Sequence, residues 1–303
     1  MDKKIQKNDH DLKQKLAGGS ILLAGILWGT MGLFVRGLNE DDLSAMKIVE
    51  LRVFFAAFLL GLFLLIYNRR LFRIRIRDIW CFMGTGILSL TFFNLCYFRT
   101  ILTASLSVAA ILLYTAPVMV VLLSAMLFHE KITARKIVAL FIAFLGCLFV
   151  TGIFSSQAPA LSAKGLFIGL GAGLGYALYS IFGRFAIMRG YHTFTISFYT
   201  FVFALLTTMI LQPPQEVIGL ILGRHTARDL LLSAGIAVVA TVFPYMLYTF
   251  GLMRVENGKA SIMASIEPVV ATLLGILVFG ERLTWDGATG VLLVLVAIVS
   301  LNI

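Results

Sequence analysis

The sequence predicts an all-α membrane protein: ten transmembrane helices forming two inverted five-helix repeats. Three observations lead there. The 303-residue chain is 60% apolar and only 13% charged, its apolar residues fall into ten long runs, and its second half repeats the first. Soluble domains carry roughly 45–50% apolar and about 25% charged residues, so a globule this poor in charge could not cover its surface. The mean hydropathy of +0.97 agrees. A helix needs about 20 apolar residues to cross the hydrocarbon core; ten would use roughly 200 and leave about a hundred for tails and connectors.

Residues 1–16 form a basic tail containing Lys3, Lys4, Lys7, Lys13 and Lys15. Apolar runs bounded by charges and turn residues then place the first five helices at 17–38, 43–67, 79–99, 104–128 and 134–153. The second five follow at 164–188, 193–212, 229–251, 256–279 and 285–302. The halves are therefore 17–153 and 164–303. The connector from Gln212 to Arg228 holds Pro213-Pro214 and an apolar run too short to span, which suits either an interfacial segment or a partly packed loop.

The net charge of +10 raises the question of nucleic acid, but the charges flank apolar spans and no base-stacking platform accompanies them. The first long connector carries Arg69, Arg70, Arg73, Arg75 and Arg77. With the amino terminus inside, 17 of the 25 basic residues fall on the inner side and seven outside, while Arg52 lies within a span. This bias predicts a cytoplasmic tail and both termini inside, in a bacterial-type inner membrane. Cys81, Cys96 and Cys147, odd in number and in or beside spans, read as packing residues rather than a disulfide framework. The first span is too long, and the tail too polar, for a cleaved signal peptide.

Sliding the chain by 151 residues superimposes Tyr97 on Tyr248, Ala109 on Ala260 and Ile111 on Ile262. The same shift sets Pro117-Val118 on Pro268-Val269, and Phe128, Glu130 and Thr133 on Phe279, Glu281 and Thr284. Near the start of each half, a shift of 148 pairs Gly25, Phe34 and Arg36 with Gly173, Phe182 and Arg184. Five spans per half is an odd number, so the second copy must be upside down, with Glu130 inside and Glu281 outside. Inverted repeats permit alternating access around a midplane site.

Each half contains small residues, then Pro-Val in an apolar helix, then Glu, a turn and another apolar helix: "ASLSVAAILLYTAPVMVVLLSAMLFHEKIT" and "ENGKASIMASIEPVVATLLGILVFGERLT". These stretches resemble the EamA-type repeats of the drug/metabolite transporter superfamily, and the resemblance covers about Gly18 to Asn302. It implies a ten-helix secondary transporter of small metabolites with a central cavity lined mainly by helices 1, 3, 4, 6, 8 and 9.

Candidate site residues follow from depth and chemistry. Pro117 and Pro268 each free the carbonyl four residues back, on Leu113 and Ala264; the outcome is either a structural kink or a polar edge on a cavity. Pro244 in helix 8 has no proline partner in the first half. Glu267 sits halfway along helix 9, where the equivalent residue is Ala116. An ionised acid there costs on the order of 2.5–3.5 kcal/mol, so proton uptake, a counter-charge for an amine and a structural acceptor are all open readings. Trp28, Asn94, Tyr97, Tyr114, Tyr176, Tyr179, Tyr245 and Tyr248 place polar aromatic groups on the cavity helices. Buried tyrosine hydroxyls need partners. Glu50 and Arg52 in helix 2 read as structural charges, and Arg99 as a mouth residue or interfacial anchor. Gly165, Gly169 and Gly173, with Gly171 and Gly175 between, give helix 6 a smooth packing face.

No Walker loop, H-E-x-x-H or cysteine–histidine cluster occurs, so no cofactor, metal or enzymatic activity is expected. The expected function is secondary active transport of an amphipathic metabolite such as an amino acid, with proton coupling an open reading and export the direction that the resemblance implies. A lipophilic cation as substrate, or passive facilitation, is the alternative. The two halves supply internally the symmetry a half-size protein would gain by dimerising, so a monomer would suffice.

Overall fold

A computed structural model describes residues 2–39, 45–104, 106–151, 162–211, 213–223, 226–282 and 284–301, the side chains of residues 2–11, 39, 106, 107, 216, 220 and 221 excepted. The side chains of Lys3, Lys4 and Lys7, and the whole of Gln212 and Asn302, all used in the sequence reading, lie outside what is described. Among the described residues the regular structure is helical throughout. The elements are α1 (Asp2–Gly29, continued by Met31–Asn39), α2 (Ala45–Tyr67), α3 (Ile76–Thr103), α4 (Leu106–Leu113 and Ala116–Phe128) and α5 (Ala134–Val150). The second half gives α6 (Ala163–Met188), α7 (Thr193–Leu211), α8 (Ala227–Leu252), α9 (Asn257–Ala264 and Glu267–Phe279) and α10 (Trp285–Ser300), with a short helix Gln215–Ile221 before α8. Eight of these segments are long and apolar enough to cross a membrane; α5 and α10, of 17 and 16 residues, are shorter. The first helix starts at Asp2 and runs unbroken to Gly29, through residues the sequence assigned to a tail.

Local chemistry repeats in the 151-residue register. Thr133 caps α5 by accepting from Lys136 N, and Thr284 caps α10 by accepting from Gly287 N. The helices before them both end in a left-handed residue, His129 at φ 55° and Gly280 at φ 66°. α4 is interrupted at residues 114–115 and α9 at 265–266, just before the halves that begin at Ala116 and Glu267. Wider π-helical turns occupy Gly84–Thr91 in α3 and Val238–Val242 in α8. In each, a threonine hydroxyl bridges five residues back, one residue out of the 151-residue register: Thr91 to Gly86 O at 3.1 Å and Thr241 to Ile236 O at 3.0 Å.

Packing repeats too. α5 lies on α10 and α2 on α7, while α1 against α8 is matched by α6 against α3. α6 against α4 is matched by α1 against α9. The carboxylate of Glu130, just past the C-terminal end of α4, accepts from the backbone of Asn257 and Gly258, so the end of α4 lies against the start of its equivalent helix α9.

Glycines bring α1 and α6 onto the helix interruptions. A Cβ on Gly173 would stand 2.5 Å from Thr115 Oγ1 and 2.8 Å from Leu112 O; one on Gly25 would stand 2.5 Å from Ile266 Cγ2 and 3.0 Å from Ala264 O. Gly169 and Gly175 press equally close on Leu112 and Phe93, so the smooth face of α6 is a packing face. Gly173→Val should therefore lower stability by about 1–3 kcal/mol or more through overpacking. Gly19→Ala, with nothing within 4 Å of the added methyl, should be tolerated. Thermal unfolding of the purified protein in detergent checks the pair; equal behaviour would remove the close-approach role.

Candidate functional site

The centre of the bundle holds a cluster of aromatic rings. Trp28 of α1 lies 5.4 Å from Tyr245 and from Tyr248 of α8, and 6.2 Å from Tyr176 of α6, measured between ring centroids. Tyr179 meets Tyr245 edge-on at 4.8 Å. Hydrogen bonds to the hydroxyls of Tyr179 and Tyr248 help the cluster tolerate burial. Tyr179 OH and Thr249 Oγ1 are 2.7 Å apart, and Ser180 Oγ and Tyr248 OH 2.9 Å. Helical spacing explains the sharing: 176, 179 and 180 fall on one face of α6, and 245, 248 and 249 on one face of α8.

Two small cavities open at this cluster, of about 10 and about 20 Å³, each with room for no more than about one water. The first is walled by Trp28, Tyr176, Tyr179, Tyr245 and Tyr248 together with Ser89, Phe93 and Ser180. The second is walled by Leu113, Tyr114, Pro117, Tyr176, Ala264 and Glu267, with Ser261 and Ser265. Tyr176 borders both, and its hydroxyl donates to Glu267 Oε2 at 3.4 Å.

The second cavity is where the two helix interruptions converge. Leu113 and Ala264, whose carbonyls Pro117 and Pro268 release, both line it. The serines there turn their protons away: Ser261 donates to Gly258 O at 2.9 Å and Ser265 to Ser261 O at 3.4 Å. The wall thus offers a carboxylate, hydroxyl lone pairs and backbone carbonyls. It carries one acid and no base, and the same absence of a base holds for the first cavity.

Other residues singled out in the sequence lie elsewhere. Asn94 is buried and donates to Leu90 O at 2.6 Å, satisfying its own helix. Tyr97 packs with Phe93 and Phe98, and neither Asn94 nor Tyr97 is among the cavity walls. Pro244 is buried at the start of the regular turn that follows the π-helical stretch of α8. Glu50 and Arg52 are buried in α2, where Arg52 Nη1 donates to Met31 Sδ of α1 at 3.2 Å. Arg99 is exposed near the end of α3. Sequence reasoning passed over Ser89, Phe93, Ser180, Ser261 and Ser265, since small hydroxyls in apolar helices are common and only the fold assembles them.

Comparison with known proteins settles the family. The model of the EamA-like transporter family matches residues 17–152 and again 163–303. The chain belongs to the EamA-like transporter family. It is an integral membrane transporter, so its setting is a lipid bilayer and its cargo a small molecule. An uncharacterized transporter of Archaeoglobus fulgidus is 29% identical over 288 residues, 92% of this chain and 93% of that one. The uncharacterized inner membrane transporter YicL of Salmonella typhimurium is 21% identical, with 94% of each chain covered. The threonine/homoserine exporter RhtA of Salmonella typhimurium is 27% identical over 205 residues, 65% of this EamA-family chain and 62% of that protein. A solved structure 16% identical in sequence superimposes with a TM-score of 0.77, covering 94% of this chain and 96% of that one, a likeness of fold.

The ring cluster makes Trp28 a packing centre as well as a wall. Trp28→Ala should cost about 3–5 kcal/mol of stability, and Trp28→Phe clearly less. Thermal unfolding of both variants decides it; equal losses would show that the indole's contacts with the three tyrosines do not set the cost.

Proposed function

We propose that this EamA-family protein is a secondary active transporter of a small amphipathic metabolite bearing an amino group, an amino acid or a relative. It works by alternating access between two inverted five-helix halves, and its net direction is export. The observation that carries this reading is the convergence of two equivalent helix interruptions on one cavity with Glu267 in its wall and the aromatic cluster beside it. Discontinuous helices near the bilayer midplane, with released carbonyls facing a cavity, are the usual construction of transporter binding sites. Inversion is supported by the end of α4 lying against the start of α9 and by the exchanged packing pairs, and the ten-span count by α5 and α10 taking the fifth and tenth places.

In this reading Glu267 meets the substrate's amino group or a coupling proton, the tyrosines and Trp28 hold the apolar body, and the Leu113 and Ala264 carbonyls complete the polar edge. The positive-inside bias supports cytoplasmic termini in a bacterial-type inner membrane. The monomer already contains both halves of the site. With cavities this small, the walls must part before a metabolite enters, which agrees with a site that opens to one side at a time.

A lipophilic cation is the second reading, favoured by walls with one acid and no base. Counterflow in proteoliposomes with amino acids, nucleobases, vitamins and quaternary amines tests both. Saturable exchange of amino acids that Glu267→Gln reduces at least tenfold supports the first reading. Inhibition by quaternary amines but not zwitterions would replace it with the second. Exchange unaffected by Glu267→Gln would remove the glutamate from the site.

A further inference from the structure

The two ends of α9 are built differently. At its start, Asn257 N and Gly258 N donate to Glu130 at 2.8 and 3.2 Å, so a carboxylate from α4 caps a helix whose own N-cap residue, Glu256, makes no side-chain cap. Lys136 Nζ sits 3.8 Å from Glu130 and 2.6 Å from Glu256, and also donates to Lys131 O at 3.0 Å. Arg184 of α6 donates to Asn257 Oδ1 at 2.9 Å and Val255 O at 2.5 Å. The Lys136 and Glu130 side chains are only 9% and 10% exposed. This end is sealed by charge-assisted hydrogen bonds among α4, α5, α6 and α9.

At the far end of α9 the equivalent groups are arranged otherwise. Glu281, equivalent to Glu130, pairs with Arg36, equivalent to Arg184, at 2.5 Å. Both are about half exposed, at 47% and 53%, and Arg36 lies over the Phe279 ring at 4.1 Å. The backbone groups equivalent to Asn257 N and Gly258 N belong to Leu106 and Ser107, which open α4 as Asn257 and Gly258 open α9.

We propose that Glu130 and Glu281 form an exchangeable latch. In the conformation described here Glu130 caps α9 and seals one end; in the opposite conformation Glu281 leaves Arg36, caps the first N–H groups of α4 and seals the other. The inference rests on the alternating-access reading above and adds the groups that hold each state. Each latch joins α4 to α9, the two helices interrupted at the cavity, so breaking one and making the other moves the cavity walls. The latches are unequal: Lys136 backs Glu130, whereas its equivalent, Gly287, supplies no charge to Glu281. The resting population therefore favours the Glu130 latch.

Two reporter cysteines 151 residues apart, Ser261→Cys and Ala110→Cys, test this in a full chain carrying Cys81→Ser, Cys96→Ser and Cys147→Ser. A water-soluble maleimide reads each in detergent. Glu130→Ala should speed labelling at Ser261→Cys about tenfold and slow it at Ala110→Cys, since two charge-assisted bonds are lost. Glu281→Ala should shift both reporters the opposite way. Glu130→Gln and Glu281→Gln, which keep an acceptor oxygen, should give smaller shifts of the same sign and guard against misfolding. Shifts of one sign for both glutamates, or none, would overturn the latch. So would failure of Glu281→Cys to form a disulfide with Ser107→Cys under oxidation that crosslinks Glu130→Cys with Gly258→Cys. Opposite shifts in a protein that shows no counterflow of amino acids would leave the latch standing and overturn the amino-acid reading instead.

Discussion

A backbone carbonyl that loses its helical donor is expensive in hydrocarbon, and this protein places two of them at its centre. Pro117 and Pro268 remove the N–H groups that would serve Leu113 and Ala264, and both residues line one cavity. Much else follows from holding these interruptions in place. Gly25 and Gly173 exist as glycines because α1 and α6 must press their backbones against the breaks in α9 and α4. The hydroxyls of Ser261 and Ser265, which line the cavity, fold back on Gly258 O and Ser261 O, consuming donors locally and leaving acceptors towards the cavity. The interruptions thus make a wall of lone pairs, to which Glu267 adds the charge.

The aromatic cluster solves a complementary problem. Tyrosine hydroxyls at this depth would be a liability if unpaired, yet Ser180 and Thr249 answer two of them across α6 and α8. Tyr176 points instead at Glu267, which makes it the group common to the apolar and polar halves of the site. A substrate entering between the rings would contest that hydroxyl, so occupancy of one cavity is felt in the other.

Much of this was legible in the sequence because it depends on spacing. Apolar runs located the helices, the 151-residue register located the duplication, and the prolines located the interruptions. The glycine face of α6 could be read because small residues at four-residue intervals have few other uses. What could not be read depends on contacts distant in sequence. Asn94 carries the same chemistry whether it lines a cavity or, as here, satisfies Leu90 O on its own helix. The π-helical turns left no composition signal, since the threonines that bridge them resemble any others in an apolar span. Glu130 read as a loop residue; only the fold carries it 127 residues along the chain to cap α9.

The duplicated halves have kept their frame and diverged in their charges. Paired prolines, capping threonines, left-handed caps and packing glycines persist in register, because each half must still make the same interrupted helix. Glu267 stands opposite Ala116, and Lys136 opposite Gly287, so the chemical charge and the stronger seal each belong to one half alone. A fully symmetric pair would hold two buried acids side by side in one cavity, where like charges disfavour each other. It would also give equal weight to its two closed states. Divergence at these positions leaves a single acid at the centre and a preferred end to close, which is what a transporter needs if its two directions are to differ.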